Sequence, residues 1–296
     1  MKLVTFRDEA GCRIGIFDPL VQVVIDLSVV APGAPRDMLE LIDLGPESLS
    51  IARQALDTSI GGLPLASIEL LAPIPRPRRN IFCVGKNYRD HAEEFHGSGY
   101  DTSTDNTAIP NLPIVFTKPP SAVIGPQVPI PASLDPTHSV DYENELTVVI
   151  GKGGRSIPKK NAFDHIFGYT IVNDVTSRVL QKRHQQWFLG KGIDGFCPMG
   201  PAITTHDEIA DIGSLHLITR VNGEIRQDAM VRDLIFDVPT LIEVISACVT
   251  LEPGDLIATG TPAGVGVGFV PPRYLQKGDV TSLSIEPLGE LINPVN

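Results

Sequence analysis

Three carboxylates carry the most informative chemistry in this sequence. Glu143 and Glu145 stand two residues apart at the start of the strand-like run ELTVVIG, and Asp174 follows the apolar run FGYTIVN. In a strand, residues i and i+2 point to the same face, about 6.5–7 Å apart. Neighbouring carboxylates repel each other unless a cation lies between them, and Mg²⁺ or Mn²⁺ prefers such oxygen ligands. The pattern predicts a divalent-metal site; the alternative is a solvent-facing acidic strand edge.

A second pair of residues has the chemistry of a general base. His91 and Glu94 are three residues apart in the segment GKNYRDHAEEF. In a helix, both side chains would lie on one face. A carboxylate bound to one imidazole nitrogen fixes the tautomer and makes the other nitrogen a better base. The alternative is a helical surface pair. We expect surface or capping roles for the other six histidines.

Polar residues beyond Asp174 extend the candidate site. Arg178 follows Asp174 by four residues and Gln181 by seven, so both share a face if a helix begins here. An arginine can bind a carboxylate or keto oxygen through two hydrogen bonds. The alternative is an ion pair of Arg178 with Asp174 or Glu145. Lys191 is predicted to lie in the Gly-rich loop GKGIDGFCPMGP, of the kind that brings backbone close to a ligand.

A polar segment follows the candidate base directly. Residues 95–112 are rich in Gly, Ser, Thr and Asn. Such segments serve either as mobile lids over an active site or as ordinary surface loops. Both interpretations stay open on the sequence alone.

Composition narrows the class of protein. The chain has 296 residues, a net charge of −11 and 42% hydrophobic residues. An acidic balance argues against nucleic acid or an anionic membrane as partner, because both attract basic surfaces. An anionic substrate would then need local positive charge from a metal or from placed Arg and Lys. The N-terminus lacks the apolar region of a signal peptide and no apolar run approaches about 20 residues, so we expect a cytoplasmic protein without a transmembrane helix.

The four cysteines show no metal-binding or redox spacing. Cys12, Cys83, Cys197 and Cys248 form no CxxC pair. We expect four reduced and mostly buried thiols. Cys197 lies close in sequence to the candidate site, but no neighbouring base supports it as a nucleophile.

The predicted elements divide the chain into two parts. Pro73, Pro75 and Pro77 forbid a helix and favour an extended connector, so a boundary is placed at about residue 75, between domains 1–75 and 76–296. Asn222-Gly223 predicts a type I′ hairpin. Strands outnumber helices and are mostly not separated by long helices, which argues against a doubly wound sheet. The predicted strands are 2–6, 21–27, 81–85, 113–118, 145–151, 167–174, 215–221, 255–260 and 279–288, and the predicted helices are 36–43, 46–57 and 238–249.

These segments, in this order, resemble the fumarylacetoacetate hydrolase family, in particular its acylpyruvate-cleaving, 2-keto acid branch. The similarity spans residues 80–290 and is therefore more specific than any single motif. It implies an α+β, β-rich fold with mixed sheets rolled into a barrel-like core, a small N-terminal α+β domain, and a homodimer. The segments that carry it are VGKNYRDHAEE, PIVFTKPPSAVIGP, VDYENELTVVIGKGGRSI, GYTIVNDVTSRVLQ, GKGIDGFCPMGP, VNGEIRQDA and LEPGDLIATGTPAGVG.

The resemblance also implies roles for individual residues. Glu143, Glu145 and Asp174 look like the ligands of Mg²⁺, with Mn²⁺ or Ca²⁺ as other candidates. His91 and Glu94 look like an acid–base dyad, and Lys191 looks like a third catalytic group. The implied substrate contacts are Tyr88, Lys118, Arg178, Gln181 and Thr261.

The resulting hypothesis is a metal-dependent hydrolase that cleaves a carbon–carbon bond in a small 2,4-diketo acid. His91 would activate a water that attacks the C4 carbonyl, and the electrons would enter a pyruvate enolate stabilised by the metal. Oxaloacetate decarboxylation and isomerisation of a 2-hydroxy-dienoate are alternatives at the same site, because they use the same enolate-stabilising residues. A metal-free scaffold protein is the alternative from another class.

Overall fold

The computed structural model describes residues 1–31, 33–57, 62–102 and 107–296. Strands dominate, as predicted. The strands are β1 (Lys2–Asp8), β2 (Gly11–Asp18), β3 (Val23–Asp26), β4 (Leu63–Pro64), β5 (Glu69–Leu70), β6 (Ile81–Gly85), β7 (Ile114–Lys118), β8 (Val123–Ile124), β9 (Val140–Asp141), β10 (Asn144–Ile150), β11 (Ile166–Asn173), β12 (Thr176–Ser177), β13 (Cys197–Thr205), β14 (His216–Val221), β15 (Glu224–Met230), β16 (Leu256–Ala258), β17 (Val280–Glu286) and β18 (Gly289–Pro294). The helices are α1 (Leu27–Val30), α2 (Met38–Asp43), α3 (Pro46–Asp57), α4 (Arg89–Gly97), α5 (Arg178–Arg183), α6 (Phe188–Lys191) and α7 (Val238–Cys248).

Most strands belong to one large mixed sheet. Its main path runs β4-β3-β2-β1-β13-β11-β10-β16-β6-β7, with β5 on β1 and β8 on β13. Neighbours are antiparallel except for the parallel pairs β16–β6 and β13–β8. The α+β, β-rich class is therefore confirmed. The barrel-like closure is corrected, because the end strands β4 and β7 do not pair with each other in the part of the chain that the structure describes.

The first 75 residues contribute strands to this same sheet. β1 pairs with β13 through Lys2↔Thr204 and Leu3↔Ile203, so the two predicted parts share hydrogen bonds. Helices α2 and α3 pack with these strands in one apolar cluster. The division at residue 75 stays a prediction.

Strands β10 and β11 form the buried centre of the fold. Every residue of both strands is buried, and they pair along their whole length. Such strands are covered on both faces, so their sequences show long apolar runs and little alternation. One face packs against α7 and the second sheet, whose order is β15-β14-β17-β18. This burial gives the chain segments at the strand ends fixed positions.

Local sequence explains the main turns and helix starts. Asn222 and Gly223 adopt φ of 51° and 83°, so the predicted type I′ hairpin between β14 and β15 is confirmed. Asp237 caps α7 by accepting a hydrogen bond from the Thr240 amide. The predicted strand 21–27 is shorter than expected, because Asp26 caps a helix that begins at Leu27.

The close contact between β11 and β13 generates a prediction about stability. A Cβ atom on Gly168 of β11 would overlap the carbonyl oxygen of Thr204 on β13. Gly168→Ala should therefore push these two strands apart and lower the free energy of unfolding by about 1–3 kcal/mol. Denaturant unfolding of both proteins measures the difference.

Gly97→Ala is the matched control, because a Cβ there meets nothing within 4 Å. We expect this helical substitution to leave stability unchanged or slightly raised. Equal stability of Gly168→Ala and the wild type would contradict the assigned packing.

Candidate active site

The β10–β11 pair brings the three predicted carboxylates together. The Asp174 amide donates to the carbonyl oxygen of Glu143 at 2.9 Å, and the Glu143 amide donates to Asn173 Oδ1 at 3.0 Å. One carboxylate oxygen from each of Glu143, Glu145 and Asp174 lies within 4.8 Å of the others. All three side chains are buried, so the solvent-facing alternative is wrong.

Two lysines neutralise part of this negative charge. Lys191 Nζ lies 2.7 Å from Glu143 Oε2 and 2.8 Å from Asp174 Oδ2. Burial opposes a raised pKa of Lys191, but the charges of Asp174 and Glu143 outweigh it and raise that pKa. Lys118 Nζ lies 2.7 Å from Asp174 Oδ1, and also donates to the carbonyl oxygens of Val175 and Lys191. Both ammonium groups therefore hold Asp174, each through a different carboxylate oxygen.

The structure bears on two expectations about these lysines. Lys191 ends the short helix α6, and so does not lie in a loop. Lys118 was predicted to contact substrate, but its three hydrogens all meet protein acceptors. Its ammonium group thus faces Asp174, and its contact with substrate stays a prediction.

Arg178 connects the carboxylates to a fourth buried acid. As predicted, a helix begins at Arg178 and buries Arg178 and Gln181 together. Arg178 Nε donates to Asp141 Oδ2 at 2.8 Å, and Nη1 lies 2.7 Å from Glu143 Oε1 and 3.3 Å from Gln181 Oε1. The open alternative of pairing with Asp174 or Glu145 is therefore replaced by pairing with Asp141 and Glu143. Nη2 is buried and has no hydrogen-bond partner within the described residues.

Sequence reasoning missed Asp141. It is fully buried, and besides Arg178 it accepts hydrogen bonds from the amides of Tyr142, Gly266 and Val267 at 2.6–2.9 Å. It lies in the acidic run DYENE together with Glu143 and Glu145, so its residue type and position indicate that it could belong to the same site. Its partners other than the adjacent Tyr142 amide, however, lie 37 and about 125 residues away along the chain.

Charge balance tests whether this cluster suits a cation. Four buried carboxylates, Asp141, Glu143, Glu145 and Asp174, face three cations, Lys118, Arg178 and Lys191, which leaves one negative charge in excess. Among the described residues Glu145 forms no ion pair, and its Oε2 accepts a hydrogen bond from the Gly260 amide at 2.8 Å. Burial, and then the charges of Asp174 and Glu143, raise the pKa of Glu145 well above its usual value.

Glu143 behaves in the opposite way. Burial would raise its pKa, but the charges of Lys191 and Arg178 overcome this and lower the pKa of Glu143 to about 2. A divalent cation among these oxygens would supply Glu145 with the positive charge that it lacks. Hard oxygen donors with one negative charge in excess thus fit Mg²⁺ or Mn²⁺.

The predicted dyad is present on α4. His91 Nδ1 lies 3.3 Å from Glu94 Oε2, and both are on a helix of nine residues. His91 is 4% exposed, so the surface-pair alternative is wrong. The Gly264 amide donates to both oxygens of Glu94 at 3.1 and 3.2 Å. Only glycine suits position 264, because its φ is 100° and a Cβ would overlap the Arg226 carbonyl oxygen.

Asn87, which sequence reasoning also missed, fixes the start of α4. Its Nδ2 donates to the carbonyl oxygens of Thr259 at 2.7 Å and Phe236 at 3.0 Å. Its Oδ1 accepts from the Phe236 amide at 2.8 Å. The buried amide thereby ties the His91 helix to the end of β16.

A small cavity joins the dyad to the carboxylates. In this structure it is narrow and has room for about one water molecule. Of the predicted substrate contacts, Arg178, Gln181 and Thr261 line it. The described lining residues are Val84, Gly85, Lys86, His91, Phe95, Glu143, Glu145, Arg178, Gln181, Trp187 and Thr261.

Tyr88 lies apart from this cavity wall. It lines a neighbouring cavity with Asp90 and Asp233. Its hydroxyl is buried without a hydrogen-bond partner in the described part of the chain. Burial, with smaller effects from the charges of Glu145 and Asp233, raises the pKa of Tyr88. Its contact with substrate stays a prediction.

The remaining expectations concern thiols and the candidate lid. The cysteines are free, but only Cys83 and Cys197 are buried, so "mostly buried" was wrong for Cys12 and Cys248. Burial raises the pKa of Cys197 to about 12, which disfavours a thiolate nucleophile. Of the segment 95–112, residues 95–97 end α4, and 103–106 lie outside the described residues.

Comparisons with known proteins agree with the fold. The model described as "Fumarylacetoacetate (FAA) hydrolase C-terminal" matches residues 80–296. The chain therefore belongs to this family. It is 47% identical over 269 residues to the oxaloacetate tautomerase YisK of Bacillus subtilis (strain 168), covering 88% of this chain and 87% of that protein.

Two solved structures extend the comparison. A fumarylacetoacetate hydrolase from psychrophilic Exiguobacterium antarcticum superposes with a TM-score of 0.83 at 42% identity, covering 100% of this chain and 99% of that one. A maleylpyruvate hydrolase from Sphingobium sp. SYK-6, in complex with manganese(II) ion and pyruvate, superposes with a TM-score of 0.79 at 33% identity. The match covers 100% of this chain and 98% of that one.

In the described parts of the chain, none of the helices has both the length and the apolar character that a membrane span requires.

The unpaired acid generates a prediction about metal binding. Glu145→Gln should abolish the rise in melting temperature that millimolar Mn²⁺ or Mg²⁺ gives the wild type, because a neutral amide cannot balance the cation. A ligand at 100 times its dissociation constant stabilises a protein by about 2.7 kcal/mol. Thermal unfolding with the metal, and with a chelator in its place, measures the effect.

The metal-free state gives a second readout. Since burial already disfavours the charge on Glu145, Glu145→Gln should be at least as stable as the wild type in chelator. Glu9→Gln, at an exposed turn, is the control and should respond to metal as the wild type does. A wild type that shows no metal-induced shift would refute the site.

Proposed function

We propose that this protein is a metal-dependent acid–base enzyme that interconverts the keto and enol forms of a small 2-oxo dicarboxylic acid such as oxaloacetate. The observation that carries the proposal is the shared cavity, which His91 and three buried carboxylates line or adjoin. The Bacillus relative, which is 47% identical to this chain, is an oxaloacetate tautomerase, and this supports the choice of reaction.

The dyad supplies the proton transfer. Glu94 lies against His91 Nδ1, so an ionised Glu94 keeps the hydrogen on Nδ1 and leaves Nε2 to act as base. In the keto-to-enol direction Nε2 removes a proton from C3, and the carbonyl oxygen takes a proton from solvent. In the reverse direction the imidazolium returns a proton to C3 and the hydroxyl releases one. The atoms balance without any further reactant.

The positive groups of the site bind and orient the acid. The buried Arg178 Nη2, which has no partner among the described residues, can donate to a substrate carboxylate. Lys191 lies between Glu143 and Asp174, where its charge offsets negative charge on nearby oxygens. A bound divalent cation would supply Lewis-acid stabilisation of charge that develops on the substrate oxygens. Glu143, Glu145 and Asp174 would hold it.

Hydrolysis of a 2,4-diketo acid is the second candidate. The manganese- and pyruvate-containing structure of a maleylpyruvate hydrolase, which has a TM-score of 0.79 to this chain, favours it. Hydrolysis requires His91 to activate a water, whereas tautomerisation requires it to exchange a proton with carbon. Oxaloacetate decarboxylation, the third reaction, releases pyruvate.

The homodimer and the cytoplasmic location stay predictions.

One assay separates these reactions. We expect the protein with Mn²⁺ or Mg²⁺ to speed the loss of enol absorbance of oxaloacetate without net production of pyruvate. Acylpyruvates tested in parallel should be cleaved more slowly. Production of pyruvate from oxaloacetate would assign a decarboxylase, and rapid cleavage of an acylpyruvate would assign a hydrolase.

His91→Asn should lower the rate of tautomerisation by about 10²–10⁴-fold, the usual contribution of a general base. The metal-induced rise in melting temperature should persist, because His91 is not among the proposed ligands. His96→Asn, on the same helix, is the control and should retain activity. Equal loss of metal response and activity in His91→Asn would contradict the assigned role.

A further inference from the structure

Gln227 has hydrogen-bond partners on both sides of its side-chain amide. It lies on β15 and is 1% exposed. Its Oε1 accepts from the Asn144 backbone amide at 3.2 Å and from Thr219 Oγ1 at 2.8 Å. Its Nε2 donates to the Pro262 carbonyl oxygen at 2.8 Å and to Thr261 Oγ1 at 2.7 Å. Gln227 thus links the strand of the carboxylates to the loop that follows β16.

The backbone partners fix the orientation of this amide. The Asn144 amide can only donate, so it must face the carbonyl oxygen of Gln227. The Pro262 carbonyl oxygen can only accept, so it must face the nitrogen. The second hydrogen on Nε2 then points at Thr261 Oγ1, and the threonine hydroxyl must act as the acceptor. An exchange of oxygen and nitrogen would place like groups against each other on both sides.

The hydroxyl hydrogen of Thr261 is consequently free to point into the cavity. Thr261 is 2% exposed and lines the cavity beside His91 and Arg178. Within the described residues, Thr261 Oγ1 has no hydrogen bond besides the one that it accepts from Gln227. Its neighbour Gly260 donates its amide to Glu145 Oε2 at 2.8 Å, so the hydroxyl stands next to the carboxylates.

We propose that Gln227 is a positioning residue that makes Thr261 a hydrogen-bond donor to the carboxylate of a bound 2-oxo acid. Asn144 lies between Glu143 and Glu145, so Gln227 also sets the donor at a fixed distance from those two acids. This proposal rests on the proposed function, because it assumes a 2-oxo acid in the cavity.

Gln227→Glu tests the donor direction with little change of shape. The substitution replaces the donor Nε2 by an oxygen. Where this buried carboxyl group is ionised, the oxygen accepts the Thr261 hydrogen and draws it away from the cavity, so the comparison is made at a pH at the upper end of the protein's stable range. A hydrogen bond to a charged group is worth enough to change affinity by about 10- to 100-fold. In the Mn²⁺-loaded protein, pyruvate should therefore bind about 10- to 100-fold more weakly, as measured by calorimetry. KM for oxaloacetate should rise by a similar factor with a smaller change in kcat.

Thr261 variants keep the test decisive if the Gln227→Glu substitution disturbs the fold. Thr261→Val removes the donor and should weaken pyruvate binding as much as Gln227→Glu does, while Thr261→Ser should bind like the wild type. The double variant Gln227→Glu/Thr261→Val should be no weaker than either single variant. The exposed Gln276→Glu is the charge control and should bind pyruvate normally.

Two results of the pyruvate titrations with the variants would overturn the proposal. One is wild-type affinity for pyruvate in Thr261→Val. The other is a double variant whose loss is the product of the two single losses, which would mean that the residues act independently. A parallel loss of the Mn²⁺-induced thermal shift in Gln227→Glu would assign a merely structural role and so also count against it.

Failure of the proposed function is visible separately. Pyruvate titration measures carboxylate recognition without turnover, whereas the enol assay measures the reaction. A wild type that binds pyruvate but leaves oxaloacetate unchanged would refute the proposed tautomerase activity. Pyruvate binding by the Thr261 variants would still test the proposed role of Gln227. A Mn²⁺-loaded wild type that binds no pyruvate at millimolar concentration would overturn the Gln227 proposal.

Discussion

The architecture of the site depends on a cluster of charges buried in the centre of the protein. Removing an ion from water costs several kcal/mol, and only close pairing with good geometry compensates for this. Asp174 therefore lies between Lys118 and Lys191, and Asp141 between Arg178 and two backbone amides. These partners come from β7, α5, α6 and the loop after β16. A shift of any one element would leave a buried charge without its partner, so the pairs fix the elements relative to one another.

The same pairs divide the acids into two electrostatic classes. Glu143 has a guanidinium and an ammonium beside it, and its pKa falls to about 2. Glu145 has a backbone amide, and its pKa rises. Protein groups alone thus stabilise most of the negative charge and leave one carboxylate without compensation. This imbalance makes a divalent cation a fitting partner, since a cluster that was already neutral would gain less from binding one.

Sequence reasoning reached two kinds of residue: those in regular local patterns, and those that the family resemblance implied, such as Lys118 and Thr261. The spacing of Glu143 and Glu145 and the strand before Asp174 sufficed to predict their convergence, and most predicted strands agree with the structure to within two residues at each end. Asp141 and Gln227 were missed because their roles arise from contacts 34 to 125 residues away. Lys191 was placed in a loop because glycines flank it. The barrel was inferred from the resemblance, whereas closure depends on whether two edge strands meet.

The parts that hold charge and the parts that can choose a substrate are separate in this fold. Strands β10 and β11, which carry the acids, are buried along their whole length. The far wall of the cavity comes from α4 and its neighbours, where Phe95 and Trp187 meet edge to face. This region lies nearer the surface, and Trp187 is still 9% exposed. Changes at Trp187 can alter which group lies opposite His91, a water or a substrate carbon. Changes at Phe95 would also affect Arg178, whose guanidinium lies 5.8 Å from the centre of the Phe95 ring.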